Sequence, residues 1–100
     1  MTDELLKNCL DEQGRIKVWP KKHAKKIAVL QYLAEKFDPS RVYTEKEVNT
    51  LIDQWHTFGD YFLLRRGLVE AHLLTRDAFG REYRVSNQPL FPSPQDHYAL

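Results

Sequence analysis

Clustered lysine and arginine side chains in this sequence could bind a polyanion. They gather in two places, Lys21, Lys22, Lys25 and Lys26 and then Arg76, Arg81 and Arg84. Such cations bind phosphate oxygens and fix a protein on a nucleic acid without reading its bases. The pattern therefore indicates a DNA-contacting surface, and the alternative is that these are ordinary solvated charges. The residues that we expect to contact nucleic acid are Lys22, Lys25, Arg66, Arg81 and Arg84.

Arg65 and Arg66 are adjacent in the chain but would not share one face of a helix. Arg65 falls in the apolar arc between Tyr61 and Val69, where a buried guanidinium must be paired. We therefore expect Arg65 to form a structural ion pair. The candidate carboxylates are Asp53, Asp77 and Glu47. Arg66 would point outward, where Glu70 one turn later can pair with it.

The histidines and the single cysteine lack the spacing of a metal centre. They are His23, His56, His72, His97 and Cys9. A dedicated site needs histidines four apart on one helix or a dense cluster of histidine and cysteine. The sequence also has no glycine-rich phosphate loop and no nucleophile elbow. We therefore expect no cofactor, no metal and no enzymatic activity, with Cys9 as a small core residue.

Composition indicates one small globular domain, because 100 residues with 42% apolar and 29% charged side chains can form a single core. The formal net charge is only +1, so DNA binding would depend on local charge. One cysteine excludes a disulfide within the chain. The first residues lack a signal-peptide pattern, and no apolar run approaches the roughly 20 residues of a membrane span. We expect a cytoplasmic protein with no membrane contact.

The predicted secondary structure begins with a short helix over residues 3–10 and a short strand over residues 15–19. A long helix is predicted over residues 21–37. One face of that helix is formed by His23, Ile27, Leu30, Leu33, Ala34 and Phe37. Val29 and Tyr32 lie off this face, so they would cover a second surface. That surface would meet residues 3–10 of the same chain, the tail, or a second copy.

Two further helices and a hairpin are predicted after a short extended segment at residues 41–43. Thr44 to Glu47 matches a capping box, which begins a helix over residues 44–58. Gly59 ends this helix, and Asp60 caps the next one over residues 60–72. Residues 73–76 and 81–85 alternate as the strands of a hairpin. Residues 86–100 contain three prolines and are predicted to be an extended tail.

The order of these elements is that of a winged helix-turn-helix, an α+β fold that is mainly α. Three helices and a small antiparallel hairpin wing would form one domain over residues 1–85. An extra helix and a short strand would precede the domain core. A helical bundle would lack the hairpin, and an all-β fold would lack the three amphipathic helices.

Four short motifs extend this interpretation. They are GRIKxWP at residues 14–20, YTExEVN at 43–49, LRRxLV at 64–69 and RxxxGxxY at 76–83. Together they resemble a bacterial domain of unknown function that occurs alone or behind ArsR-type transcriptional regulators. The resemblance covers about residues 12–85. It implies a winged-helix-like domain with a role in transcription control, and it supplies no substrate and no catalytic residue.

Two functions follow as hypotheses. The first is a DNA-binding transcriptional regulator that contacts phosphates of double-stranded DNA through the first helix and the wing. The second is a protein-interaction or dimerisation module of the same fold without DNA binding, whose partner is a second copy or another regulatory protein. The outward side of the third helix presents Leu63, Arg66 and Glu70, so only Arg66 is a usual reader of base edges.

Overall fold

Three helices and one three-stranded sheet form the part of the chain that the computed structural model describes, residues 6–79 and 81–86. They are α1 (His23–Ala34), β1 (Tyr43–Thr44), α2 (Glu45–Gln54), α3 (Tyr61–Glu70), β2 (Leu74–Arg76) and β3 (Glu82–Val85). The fold is therefore α+β and mainly helical, as predicted. None of the helices in these residues is long and apolar enough to span a bilayer.

The sheet is antiparallel throughout, with β3 between β1 and β2. The hairpin expected over residues 73–85 is confirmed, since Leu74 pairs with Val85 and Arg76 with Tyr83. The extended segment before α2 supplies the third strand, in which Tyr43 pairs with Tyr83. Tyr83 is buried at the centre of the sheet, so the sheet packs one face on the helices.

Helix ends follow the capping signals in the sequence. The Thr44 hydroxyl accepts a hydrogen bond from the Glu47 N–H (3.1 Å), and the Glu47 carboxylate accepts one from the Thr44 N–H (2.9 Å). Asp60 accepts from the Leu63 N–H (3.1 Å) and begins α3. Gly59 has a φ of 69°, a conformation that glycine adopts without strain. The predicted capping box and the cap at Asp60 are confirmed, whereas Gly59 is left-handed but does not end α2, whose C-terminal cap is Trp55.

The connection between α2 and α3 is held by a buried histidine. Nδ1 of His56 lies 2.7 Å from the Ile52 carbonyl oxygen, and Nε2 accepts the Asp60 N–H (2.9 Å). Both nitrogens are satisfied when Nδ1 carries the only proton and donates it to the carbonyl. Among the described histidines, His56 is the buried one, and its role is to join the end of α2 to the start of α3.

The strand predicted over residues 15–19 is wrong. Ile16 alone makes two isolated bridges, to Leu10 and to His56. Its N–H donates to the Trp55 carbonyl (2.7 Å), and its carbonyl accepts the Thr57 N–H (3.0 Å). Ile16 is fully buried, because this segment crosses the turn after α2 rather than running along a strand.

The predicted helices are too long at several ends. The helix expected over residues 21–37 begins at His23, because Lys22 is extended (φ −76°, ψ 136°), and it ends at Ala34. His23 is exposed at this helix start rather than apolar-facing. The helix over residues 44–58 ends at Gln54, and the one over 60–72 ends at Glu70 before the left-handed His72 (φ 62°).

The chain before α1 covers the second side of that helix. Val29 is fully buried, and the Tyr32 hydroxyl donates to the Gly14 carbonyl (2.6 Å). Of the helix predicted over residues 3–10, Leu6 is helical, whereas residues 7–9 form a turn, and residues 3–5 lie outside the described residues. The tail after Ser86 lies outside them as well. Val29 is therefore covered within one chain, and the hydrogen-bond partner of Tyr32, Gly14, lies outside residues 3–10.

The core lies where the three helices meet the sheet. Its fully buried side chains include Leu33, Val48, Ile52, Leu64, Leu68 and Leu74. Burying one such side chain contributes about 1.5–3 kcal/mol. Helices α1 and α3 approach closely at Gly67, where an added Cβ would lie 3.1 Å from a methyl group of Leu30. The core therefore fixes α3 against α1, α2 and the sheet at once.

Candidate functional site

Helix α3 and the hairpin enclose a groove of about 260 Å³, named here the α3–sheet groove. Its lining residues are Phe62, Arg65, Arg66, Val69, Glu70, Arg76 and Tyr83. Three of these seven are arginines, which come from two elements separated in the sequence. The groove therefore brings three guanidinium groups together in one concavity.

Helical and strand periodicity explain why these residues meet. Residues three, four and seven apart on α3 share a side, which aligns Phe62 with Arg65, Arg66 and Val69. Arg76 pairs directly with Tyr83, and paired residues on neighbouring antiparallel strands share one face of the sheet. Because Tyr83 faces the helices, Arg76 projects on the same face and completes the groove.

Arg65 is the inner member of the groove, and its side chain is only 14% exposed. Its guanidinium donates to the Asn49 carboxamide oxygen (2.6 Å) and lies 3.8 Å from the Glu45 carboxylate. It also lies over the Phe62 ring, 5.3 Å from its centre. The Tyr83 hydroxyl donates to the same Glu45 carboxylate (3.3 Å). Arg65 thus ties α3 to the start of α2.

The expected partner of Arg65 is therefore corrected. Its acidic contact is Glu45, and the expected carboxylates Asp53, Asp77 and Glu47 are not among its contacts. Glu47 is instead engaged by Thr44 and by Arg41 (2.7 Å). The sequence places Glu45 in the first turn of α2, but only the crossing of α2 and α3 brings it to Arg65.

Arg66 and Arg76 are the outer members of the groove. Arg66 pairs with Glu70 at 3.1 Å, and both side chains are about two-thirds exposed (65% and 64%). An exposed pair of this kind contributes about 0–1 kcal/mol and weakens with salt. Arg76 is exposed and makes no ion pair with residues 6–79 or 81–86. Both guanidinium groups are therefore available to an external anion.

Two other predicted contact residues of the hairpin lie outside the α3–sheet groove. Arg84 pairs with Thr75, so it projects from the opposite face of the sheet to Arg76. Arg81 lies at the hairpin turn, with its guanidinium 5.6 Å from the centre of the Phe79 ring. Phe79 is 79% exposed. The predicted wing arginines are thus divided between the tip and the outer face.

The predicted lysines of the first helix also lie outside this groove. Lys22 precedes α1 and is exposed, while Lys25 is half-buried in the first turn. Their neighbour Lys26 lines a different groove, between α1 and α3, together with Arg66. Of the predicted contact residues, only Arg66 lines the α3–sheet groove. Arg65 lines it as well, but the sequence predicts Arg65 as a structural residue.

Arg76 is grouped from the sequence with the basic residues of the hairpin but is not among the expected contact residues, and the sequence does not identify Phe62 as a member of the site. The signal for Arg76 was the two-residue period of the strand, which puts it on the same side as the buried Leu74. Phe62 is 55% exposed. Within the described ranges, no three His, Cys, Asp or Glu side chains are placed to hold a metal ion.

Comparison with known proteins identifies a family. The model of a bacterial family described as uncharacterised conserved proteins (DUF2087) matches residues 15–85. No curated protein and no solved structure matches the chain. The matched span contains all three helices, the whole sheet and every residue of the α3–sheet groove.

Proposed function

The chain belongs to this family of uncharacterised bacterial proteins, and we propose that it is a cytoplasmic winged-helix domain that binds double-stranded DNA through phosphates and regulates transcription. The element order supports the fold, since helix, strand, helix, helix, strand, strand is the order of a winged helix. In this assignment, α3 is the recognition helix and the β2–β3 hairpin is the wing. The central position of β3 fits the same assignment.

The observation that carries the proposal is the pair of available guanidinium groups in the α3–sheet groove. Arg66 and Arg76 line one concavity from two different elements, and neither is neutralised by a buried acid. Neutralising phosphates releases condensed counterions, which supplies most of the affinity of non-specific DNA binding. The inner Arg65 supports these contacts because it fixes α3 on α2.

Base reading contributes little in this proposal. The outward residues of α3 are Phe62, Leu63, Arg66 and Glu70, and a phenyl ring, an isobutyl group and a carboxylate are poor partners for guanine or adenine edges. A carboxylate beside the duplex also repels phosphates. We therefore expect similar affinities for unrelated duplex sequences.

The remaining predicted cations are proposed as outer contacts. Lys22 and Lys25 lie at the start of α1, and Arg81 and Arg84 lie on the wing. None of the four forms an ion pair with another residue of the described ranges. A duplex is a continuous array of phosphates, so contacts on its flanks add to affinity without defining a sequence.

The second candidate is a dimerisation or protein-binding module, and exposed aromatic rings favour it. Phe62 lines the α3–sheet groove and is 55% exposed, and Phe79 near the hairpin turn is 79% exposed. Exposed aromatic residues are typical of protein contact surfaces. An apolar interface would resist salt, whereas phosphate binding would not.

The test is a fluorescence anisotropy titration of the full chain with random-sequence duplex at about 50 and about 200 mM salt. We expect binding at the lower salt and a large loss of affinity at the higher. Arg76→Gln and Arg66→Gln should each weaken binding and lower the salt slope by about one. Lys46→Gln is the matched control, because Lys46 is an exposed cation of α2 outside both grooves of α3.

Three results would contradict DNA binding at this site. They are no binding at the lower salt, an affinity independent of salt, or equal losses for Lys46→Gln and Arg76→Gln. Self-association measured by analytical ultracentrifugation that persists at the higher salt and is lost in Phe62→Ser would instead support the dimerisation module.

A further inference from the structure

A second groove runs along the other side of α3, between that helix and α1, with a volume of about 350 Å³. Its floor is apolar and is formed by Ile27 and Leu30 of α1 and by Leu63 and Gly67 of α3. A side chain at position 67 would meet the Leu30 methyl groups at 3.1 and 3.2 Å. Glycine therefore lets the two helices approach and leaves the floor uncovered.

The rim of this α1–α3 groove is positively charged. Lys26 of α1 and Arg66 of α3 both line it, and the one acid in the lining is Glu70, which is already paired with Arg66. Lys26 makes no ion pair with the described residues, and its ammonium group lies 5.8 Å from the centre of the Trp19 ring. The groove thus joins an apolar floor to an aromatic wall and an unneutralised cation.

We propose that the α1–α3 groove is a binding site for a small monocarboxylic acid with a planar apolar body. The volume lies at the low end of the range for small-molecule sites, which suits a body of one or two rings. The rings would lie on Leu30, Leu63 and Gly67 beside Trp19. The carboxylate would accept hydrogen bonds from Lys26 and Arg66. A single negative charge matches the excess of two cations over one acid.

Binding of such an acid would regulate the proposed contact with DNA. Arg66 lines both the α1–α3 groove and the α3–sheet groove, so one guanidinium is shared by two anion sites. A carboxylate that engages Arg66 from one side competes with a phosphate that engages it from the other. This antagonism depends on the proposed function, whereas binding of the acid does not.

The test uses 2-naphthoate as the probe and its neutral amide, 2-naphthamide, as the charge control. Each is titrated into the ¹⁵N-labelled full chain while the Gly67 amide and the Trp19 indole N–H are followed by NMR. We expect saturable shifts at both groups, with 2-naphthamide about tenfold weaker because it lacks the charge-assisted hydrogen bonds. Lys26→Gln should lower that tenfold preference, because only Arg66 would then bind the carboxylate, and Lys25→Gln, which changes a lysine outside the groove, should leave it unchanged.

Several outcomes would overturn the site. They are no shift at Gly67 and Trp19 with millimolar probe, equal affinities for acid and amide, or loss of the preference in Lys25→Gln. NMR signals of groove residues that shift when only the protein concentration changes would show that a second copy of the chain occupies the groove. That result would also overturn the acid site.

The antagonism is tested by repeating the duplex titration with saturating 2-naphthoate. We expect a weaker duplex affinity, with no change when 2-naphthamide is used. If the chain fails to bind duplex without any probe, the proposed function is wrong and the NMR titration alone decides the acid site. If duplex binds but the NMR shifts are absent, only the acid site is wrong.

Discussion

Two sides of helix α3 carry adjacent arginines in opposite surroundings. On the side towards α2, Arg65 is 14% exposed and is held by Asn49 and Glu45. On the outer side, Arg66 is 65% exposed, and its partner Glu70 is equally exposed. The inner side therefore determines stability, and the outer side is available for binding. Arg65 and Arg66 are the same residue type and adjacent in the chain, but they have different roles because they lie on different sides of the helix.

Two grooves share helix α3 because its inner and outer sides have different roles. The inner side anchors α3 to α2 and the sheet, which keeps the walls of both grooves in place. The outer Arg66–Glu70 pair lines both grooves. Changes on the inner side should therefore lower stability, and changes on the outer side should alter binding alone.

Substitutions of two adjacent leucines of α3 should differ most in their cost to stability. Leu64 is fully buried, whereas Leu63 is half-buried in the wall of the α1–α3 groove. Leu64→Ala removes contacts and leaves a cavity, so it should lower the free energy of unfolding by about 2–5 kcal/mol. Leu63→Ala should cost about 1 kcal/mol or less. Urea denaturation measures both, and similar losses would contradict the division of α3 into two sides.

The next largest difference in stability is expected between substitutions of Arg65 and Arg66. Arg65→Ala breaks the hydrogen bond to Asn49 and removes the contact with Glu45, which should cost about 1–3 kcal/mol. Arg66→Ala removes an exposed pair and should change stability by no more than about 0.5 kcal/mol. The melting temperatures of the two variants measure the difference. Equal melting temperatures would show that Arg65 does not hold α2 against α3.

Much of this fold could be predicted from the sequence because its signals are local. The capping box at Thr44, the cap at Asp60 and the left-handed Gly59 act within a few residues, and all were predicted. The hairpin at residues 73–85 was predicted from strand alternation. The burial of Arg65 also followed from its place in the apolar arc of α3.

The remaining features depend on how elements cross. Glu45 meets Arg65 only because α2 packs on α3, which periodicity within one helix does not show. Ile16 has the pattern of a strand residue, yet its partner is the turn after α2. The groove position of Arg76 depends on its register with Tyr83. Predicting these contacts requires the packing of elements as well as their existence.

Gly67 gives a smaller effect, on the side of α3 that faces α1. Gly67→Ala gains helix propensity of up to about 1 kcal/mol. The new methyl group would press on Leu30 at 3.1 Å, and such overpacking costs about 1–3 kcal/mol. We expect a net loss of about 1 kcal/mol, measured by urea denaturation. A matched double variant with Leu30→Val should recover part of the loss, and a stabilised Gly67→Ala would contradict the close approach.

The smallest effect on stability is expected at Glu47. Its ion pair with Arg41 is exposed, like the Arg66–Glu70 pair, but the Glu47 carboxylate also takes part in the capping box of α2. The pKa of Glu47 is lowered, first by the hydrogen bond from the Thr44 N–H and then by the charge of Arg41. A lowered pKa in the folded state means that the carboxylate stabilises the fold above its unfolded pKa. That contribution is lost as pH falls through the lowered value.

Glu47→Gln keeps an acceptor for the Thr44 N–H but removes the charge and its titration. We therefore expect the wild type to be slightly more stable than Glu47→Gln near neutral pH, with the difference shrinking as the pH falls below about 4. Denaturation curves of both proteins across that range measure the difference. A difference that stays constant with pH would mean that the ionised form of Glu47 adds nothing to the cap. The Arg41 pair would then be as inconsequential for stability as the exposed pair on the outer side of α3.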